Sequence, residues 1–280
     1  MAANLTGKVA LVTGSNTGIG RVTAAELARA GAHVFMACRS AARTAPVADE
    51  IRRETGSEVE FLELDLASLA SVRSCAEAFL RRDLPLHILV NNAGLAGRRG
   101  LTADGFELTF GTNHLGHFLL SHLLRDRIEA SAPARVVTVS SQSHRSARKI
   151  PWERLRAPTR SLTALSEYAV SKLANVLFSA ELARRLEGTG VTTYSLHPGV
   201  IASDIWRRIP PPLRTIAKAF MSSTEQGART TLHCATAPEL AGETGRYYND
   251  CKEQRPSRVA QDPELGRELW TRSLEWARIA

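Results

Sequence analysis

Cysteine is scarce: four residues in 280, Cys38, Cys75, Cys234 and Cys251, with no two placed as a C-x-x-C pair. That spacing argues against a zinc knuckle, a redox dithiol and a disulfide framework, and it leaves reduced thiols as the expectation. Long apolar runs are missing too, so no segment is expected to cross a bilayer. The first residues lack the basic region, apolar core and small-residue cleavage site of a secretory leader, and a cytoplasmic location is expected. No H-E-x-x-H occurs, and His114, His117 and His122 have no cysteine at a useful spacing, so they read as helix-face histidines and no metal is expected. No linker, repeat or low-complexity tract divides the chain.

Acids are not lacking. Asp and Glu number 28 against 36 Lys and Arg, for a net charge of +8. The arginines are spread over helix faces as in Arg52-Arg53, Arg81-Arg82 and Arg184-Arg185, and only 145 to 160 is locally very basic. A nucleic-acid partner is therefore not expected, whereas peripheral contact with a membrane stays open, because 205 to 221 mixes large apolar groups with cations. With 44% hydrophobic and 23% charged residues the chain is not disordered. Alternating apolar strands and amphipathic helices predict one α/β domain over 1–280, with a nucleotide-binding half of about 1–135 and a catalytic and substrate-binding half of about 136–280.

What is present starts with Val9 to Gly20. A short β-branched run, Val9 to Val12, meets a turn punctuated by Gly14, Gly18 and Gly20, and helix formers follow from Arg21 to Ala30. Glycine lets backbone approach a ligand, and the N–H groups that open a helix favour a pyrophosphate, so the turn residues Gly14, Ser15, Asn16, Thr17, Gly18, Ile19 and Gly20 are candidate dinucleotide contacts. His33 to Cys38 reads as a second parallel strand. Arg39 follows it, where an adenosine ribose would arrive, and no acid stands at Cys38, Arg39 or Ser40 to take a free 2′-OH. An arginine suits a 2′-phosphate, which favours NADP(H), although stacking on adenine would serve both cofactors alike. Arg43 is either a second phosphate ligand or an exposed helix-start residue.

Further strands are expected at Val59 to Leu64, Leu86 to Val90, Arg135 to Ser141, Val191 to Leu196 and Gly245 to Tyr248. Asp65, followed by Leu66, is a helix cap, an acceptor for the adenine amino group, or both. Asn91 and Asn92 read as ties between strand ends, with Asn92, Ala93 and Gly94 where a cofactor would lie. Helices are expected at 106–124, 163–186, 224–236 and 263–280. Tyr168 and Lys172 stand four apart at the start of one of them and so share a face. A neighbouring ammonium would lower a phenol pKa from roughly 10. Ser141, with Ser140 as fallback, ends a strand at the carboxyl edge where open α/β sheets bind ligands.

Together, Thr13-Gly-Ser-Asn-Thr-Gly-Ile-Gly20, Asn91-Asn-Ala-Gly94 and Tyr168-Ala-Val-Ser-Lys172 resemble the short-chain dehydrogenase/reductase family over nearly the whole length. Phe110 to Phe118 and Tyr168 to Asn175 look most like its retinol dehydrogenase and protochlorophyllide reductase branch. The resemblance implies a Rossmann-type, doubly wound parallel sheet with helices on both faces. It implies an oxidoreductase interconverting an alcohol and a carbonyl with NADP(H), acting on a small apolar substrate. The rival readings are a C=C reductase and a non-catalytic NADP-sensing protein.

The resemblance also implies residue roles. Ser141 holds the substrate oxygen, Tyr168 is acid/base, Lys172 lowers its pKa and holds the nicotinamide ribose, and Asn113 supports a water relay. Pro198, Gly199 and Val200 would approach the nicotinamide, with Ser203 at a position where the family usually has threonine. The 26 residues from 142 to 167 read as an inserted loop beside the substrate or a solvated excursion, and 205–221 as a substrate lid or a surface helix. Helices 106–124 and 163–186 are those that pair between subunits in the family, so a homo-oligomer is expected.

Overall fold

The computed structural model describes residues 4–199 and 223–279. Eight strands form one sheet: β1 (Val9–Thr13), β2 (His33–Cys38), β3 (Val59–Glu63), β4 (Ile88–Asn91), β5 (Ala134–Val139), β6 (Val191–His197), β7 (Arg246–Asn249) and β8 (Lys252–Glu253). Their order is β3-β2-β1-β4-β5-β6-β7-β8, and every pairing is parallel except β7 with β8. All five residues of β1 are buried, as expected for a strand covered on both faces. Leu11 belongs to the core on one face of the sheet and Val12 to the core on the other. The strand order reverses between β1 and β4, and a crevice at such a reversal is where open α/β sheets take ligands.

The first βα units follow local sequence. Helix α1 (Gly18–Arg29) opens directly from the glycine turn. Helix α2 (Ala41–Thr55) starts where the Ser40 side chain accepts from the Arg43 amide, and it ends at Gly56, whose φ of +71° suits glycine. Helix α3 (Leu69–Leu80) is capped by the Ser68 side chain, which accepts from the Ser71 amide. Asp65, one of the two expected caps here, instead accepts from the Ala67 amide with Oδ1 (3.0 Å).

The single helix expected over 106–124 is divided. It starts as α4 (Leu108–Phe110), passes through a π-helical turn at Gly111–Leu115 and resumes as α5 (Gly116–Leu123), followed by α6 (Arg125–Ala130). Its start is set by Glu107, whose carboxylate accepts from the Phe110 amide (2.8 Å). Apolar spacing runs through the whole stretch, so periodicity carries no mark of the extra residue in the turn. Helix α7 spans Leu165–Arg185, α8 Thr224–Thr236 and α9 Pro263–Trp276. Strand β8, which the sequence reading did not anticipate, is a two-residue antiparallel edge.

The 142–167 segment is mostly exposed but anchored by a few buried residues. It forms short 3₁₀ turns at Gln142–Ser146 and Trp152–Arg154, and Ala147, Ile150, Leu155 and Thr159 are buried. The Leu155 carbonyl accepts from the Glu107 amide (2.8 Å), which fastens the segment to the start of α4.

Helix α9 covers the outer side of α5 and α7. Trp270, 3% exposed, meets Phe118 edge-on at 4.9 Å and stacks on Phe178 at 6.0 Å. His114 Nε2 lies 3.2 Å from Ser273 Oγ, and Arg73 donates to the Ala277 carbonyl at 2.5 Å. One side of each helix expected to pair between subunits is thus covered by α9.

Candidate active site

The carboxyl ends of β1, β4, β5 and β6 converge on the switch point, and each brings a segment singled out in the sequence. At β1, Gly14 has φ +64°, and a Cβ there would stand 2.8 Å from Ala93 Cβ. A Cβ on Gly20 would meet Asn92 Nδ2 and the Gly14 carbonyl at 2.4 Å. Gly18, at φ +59°, has open space instead. Thr17 precedes α1 without capping it by a side-chain hydrogen bond, so the first amides of this twelve-residue helix remain free for an anion. Arg39 is exposed and makes no ion pair among the described residues. These features fit a dinucleotide: a cradle closed to side chains on one wall, amides for the pyrophosphate, and a cation near the adenosine end.

Not every residue of the turn presents a group outward. The Ser15 hydroxyl donates to the Val12 carbonyl (3.0 Å) and its amide to Cys38 Sγ (3.2 Å), so its polar groups hold β1 against β2. Asn16 is part-buried and Thr17 exposed, whereas Ile19 is part-buried.

The end of β4 is held by Thr13. Its hydroxyl accepts from the amides of Asn92 and Ala93 (both 2.9 Å) and lies 2.8 Å from His117 Nε2. Asn92 Nδ2 donates to the Thr13 carbonyl (2.8 Å) and so ties the ends of β4 and β1, whereas Asn91 Nδ2 donates to Ser121 Oγ (2.9 Å) and ties β4 to α5. Leu66 is buried, and its carbonyl would be 2.6 Å from a Cβ on Gly116.

Asn113 lies in the π-helical turn and is buried. Its Oδ1 accepts from the Leu95 amide (2.8 Å), and Nδ2 donates to the Leu95 carbonyl and to Ser171 Oγ (both 3.0 Å). It therefore locks the segment after Gly94 to α7. A Cβ at Gly94 would stand 3.3 Å from Asn113 Oδ1 and 3.5 Å from Lys172 Nζ.

Ser141, Tyr168 and Lys172 are brought together. Ser141 follows β5 in extended conformation; its hydroxyl donates to Ser143 Oγ (3.2 Å) and lies near enough to the Tyr168 phenol to oppose the rise of its pKa. Ser140 points its hydroxyl into the Lys172 carbonyl (2.7 Å), so of the two serines only Ser141 faces the phenol. Lys172 Nζ donates to the Val139 carbonyl (2.9 Å) and sits 5.5 Å from the centre of the Tyr168 ring.

The electrostatics differ from the sequence expectation. Burial raises the Tyr168 pKa above its usual value, and the Ser141 hydroxyl opposes that rise; Lys172 is not what lowers it. The physical reason is that the ammonium is itself desolvated, which lowers its pKa to about 8, and it faces a backbone carbonyl rather than the phenol oxygen.

Several functional positions carry no sequence signal, since their partners are remote. His144 is fully buried, with Nδ1 2.7 Å from the Ser141 carbonyl and Nε2 3.1 Å from the Ser257 amide. His197, at the end of β6, is held to about 4 by burial, helped by His144 and Lys172. Pro198 and Gly199, with φ +92° at Gly199, leave this strand part-buried. Val200, Ser203 and the 205–221 segment lie outside the described residues. A cleft formed by 151–160 with Phe110, Glu167 and Val170 touches neither Ser141 nor Tyr168, so it is separate from this constellation. Among the described residues no group of His, Cys, Asp and Glu is arranged for a metal, and no helix is long and apolar enough to cross a membrane.

Comparison with known proteins gives the same placement. Residues 8–152 match the short chain dehydrogenase family. The chain is 48% identical over 273 residues to Retinol dehydrogenase 12 of Mus musculus, covering 96% of this chain and 86% of that protein. A solved structure of an uncharacterised Mycobacterium Paratuberculosis protein superposes with a TM-score of 0.80 at 35% identity, over 99% of this chain and 96% of that one. The Pseudomonas aeruginosa RhlG/NADP active-site complex does so at 0.72 and 29% identity, over 87% and 94%.

Proposed function

Because the chain belongs to the short-chain dehydrogenase family, we propose that Ser141, Tyr168 and Lys172 interconvert an alcohol and a carbonyl with NADP(H). The observation that carries this reading is the gathering of Ser141, Tyr168 and Lys172, with Lys172 Nζ 5.5 Å from the centre of the Tyr168 ring, at the carboxyl edge of the sheet and beside the glycine cradle. When bound, NADPH would supply the hydride for reduction and NADP+ would take it in oxidation. The cofactor choice draws on the free Arg39 guanidinium and on the NADP of the Pseudomonas aeruginosa complex.

The residue roles follow from chemistry. The Ser141 hydroxyl holds the substrate oxygen, and the Tyr168 phenol gives that oxygen a proton in reduction or removes one in oxidation. At neutral pH Tyr168 is protonated, because burial raises its pKa, so the resting site is poised as an acid. The Lys172 ammonium presents donors to the nicotinamide ribose, and Asn113 sets the 94–95 backbone against α7. A complete acid/base set separates this reading from that of a cofactor sensor.

The similarity to Retinol dehydrogenase 12 suggests a retinoid-like apolar substrate. A panel of retinal, a steroid ketone and aliphatic aldehydes with NADPH, followed at the nicotinamide absorbance, tests the reading. Reduction of none of them would remove it, and a conjugated C=C reduced in place of the carbonyl would favour the reductase rival. The homo-oligomer we expect would pair through a face other than the one Trp270 fills.

A further inference from the structure

We infer that His144 is a positioning residue for this reaction: through one neutral tautomer it holds the backbone of Ser141 and ties the turn after Ser141 to the segment at Ser257. The inference rests on the reading of Ser141 and Tyr168 given above. Its chemistry is fixed by the two partners. A backbone N–H can only donate, so Nε2, 3.1 Å from the Ser257 amide, carries the lone pair. Nδ1 then carries the hydrogen and donates to the Ser141 carbonyl at 2.7 Å, which can only accept. The carbonyl also takes the His144 amide at 3.1 Å, so ring and backbone of one residue converge on one oxygen.

The tie bridges 113 residues of sequence. It is reinforced by Arg145, which donates to the Arg255 carbonyl (2.7 Å). Because the Ser141 hydroxyl also accepts from the Ser143 amide (3.2 Å), the 142–146 turn sets both the carbonyl and the hydroxyl of Ser141. A turn released from 255–257 would leave that hydroxyl free to rotate off the Tyr168 phenol.

Protonation would undo the arrangement. An imidazolium donates from both nitrogens, and Nε2–H would then confront the Ser257 N–H. The groups facing the ring are Arg145 on its own turn, His197 from β6, and the Tyr247 ring from β7 at 5.0 Å. Tyr168 is near enough to Tyr247 to help raise its pKa. Burial keeps His144 below its ordinary pKa, with Arg145 adding to that and the Ser141 carbonyl opposing it.

The experiment compares wild type with His144→Asn and His144→Phe, using NADPH and the most rapidly reduced carbonyl of the panel. Asparagine can offer an N–H where Nδ1 stands and cannot titrate; phenylalanine fills the space and offers nothing. We expect His144→Phe to lower kcat by at least about tenfold, with NADPH affinity changed less than about twofold. His144→Asn should stay within about threefold of wild type, and the fall in kcat expected of wild type in acid should shrink. Asparagine losing as much as phenylalanine, or an unchanged acid limb in His144→Asn, would overturn the inference, as would a folded phenylalanine variant with full kcat. Should phenylalanine prevent folding, the asparagine variant alone decides. Tyr168→Phe run in parallel separates the two readings: full activity there refutes the roles assigned to the site, whatever His144 does.

Discussion

Thr13 Oγ1 and His117 Nε2 lie 2.8 Å apart across 104 residues of sequence. His117 Nδ1 faces the Asn113 carbonyl (3.0 Å), so Nδ1 carries the hydrogen and Nε2 accepts from the Thr13 hydroxyl. The ring must be neutral for both bonds, and burial holds its pKa at about 4.

Acid should therefore destabilise the fold. The folded pKa of His117 is depressed from 6.5, so its contribution is present above pH 6.5 and is lost as pH falls toward about 4. The contribution is on the order of 3 kcal/mol. His114, lowered to about 3 by burial, acts in the same direction. Urea midpoints at pH 7 and pH 5 check this: a lower midpoint is expected at pH 5, and His117→Gln should flatten the difference.

Catalysis should show opposite pH trends in its two directions. With Tyr168 raised above its ordinary pKa, carbonyl reduction should be flat from about pH 6.5 to 8, and alcohol oxidation should climb with pH. Reduction should weaken above about pH 8 as Lys172 loses its charge. Tyr168→Phe should remove turnover and leave cofactor affinity nearly unchanged, whereas Lys172→Ala should damage both. Steady-state rates with parallel NADPH titrations read all of this.

Cofactor choice should rest on Arg39. Hydrogen bonds to charged groups contribute about 1.5–3 kcal/mol, so Arg39→Ala should weaken NADPH binding by at least about tenfold and leave NADH nearly unchanged. Equal loss for both cofactors would mean that the guanidinium stacks on adenine.

Gly20 should not accept a side chain. A Cβ there would be 2.4 Å from the Gly14 carbonyl, which is backbone and cannot swing aside. Gly20→Ala should cost about 1–3 kcal/mol and weaken dinucleotide binding further than that loss explains. Gly18→Ala has room but sits at φ +59°, so only strain opposes it. Thermal midpoints and NADPH affinities of the two variants should separate the effects.

Cover by α9 should be intramolecular. Trp270→Ala should destabilise by about 3–5 kcal/mol, and the loss should be the same at low and at high protein concentration. A loss that changes with concentration would mean that another copy supplies part of this cover.

The parts of the site legible in sequence are those whose logic is local. Gly14, Gly18 and Gly20 announce a strand-to-helix turn by spacing alone, and Tyr168 and Lys172 share a face because a helix repeats every 3.6 residues. The π-helical turn at Gly111–Leu115 escaped because one extra residue leaves the apolar pattern intact. The clamps at His117 and His144 escaped for another reason: their partners stand 104 and 113 residues away, and a histidine says nothing about which remote group it meets. The direction in which burial moves the Tyr168 pKa is not legible either, because spacing places an ammonium near a phenol but does not say how dry both are.

The Arg73 bond to the Ala277 carbonyl joins positions 204 residues apart, so the outer side of α7 is sealed only when nearly the whole described chain has been brought together. Loop closure grows only logarithmically with length, so this arrangement costs little stability, but contacts of such high separation form late in folding. Until α9 docks, Phe118 and Phe178 remain open to water on the helix pair that carries Asn113 and Tyr168. A chain cut short before α9 would therefore present Phe118 and Phe178 as an apolar face, on the surface that Trp270 covers.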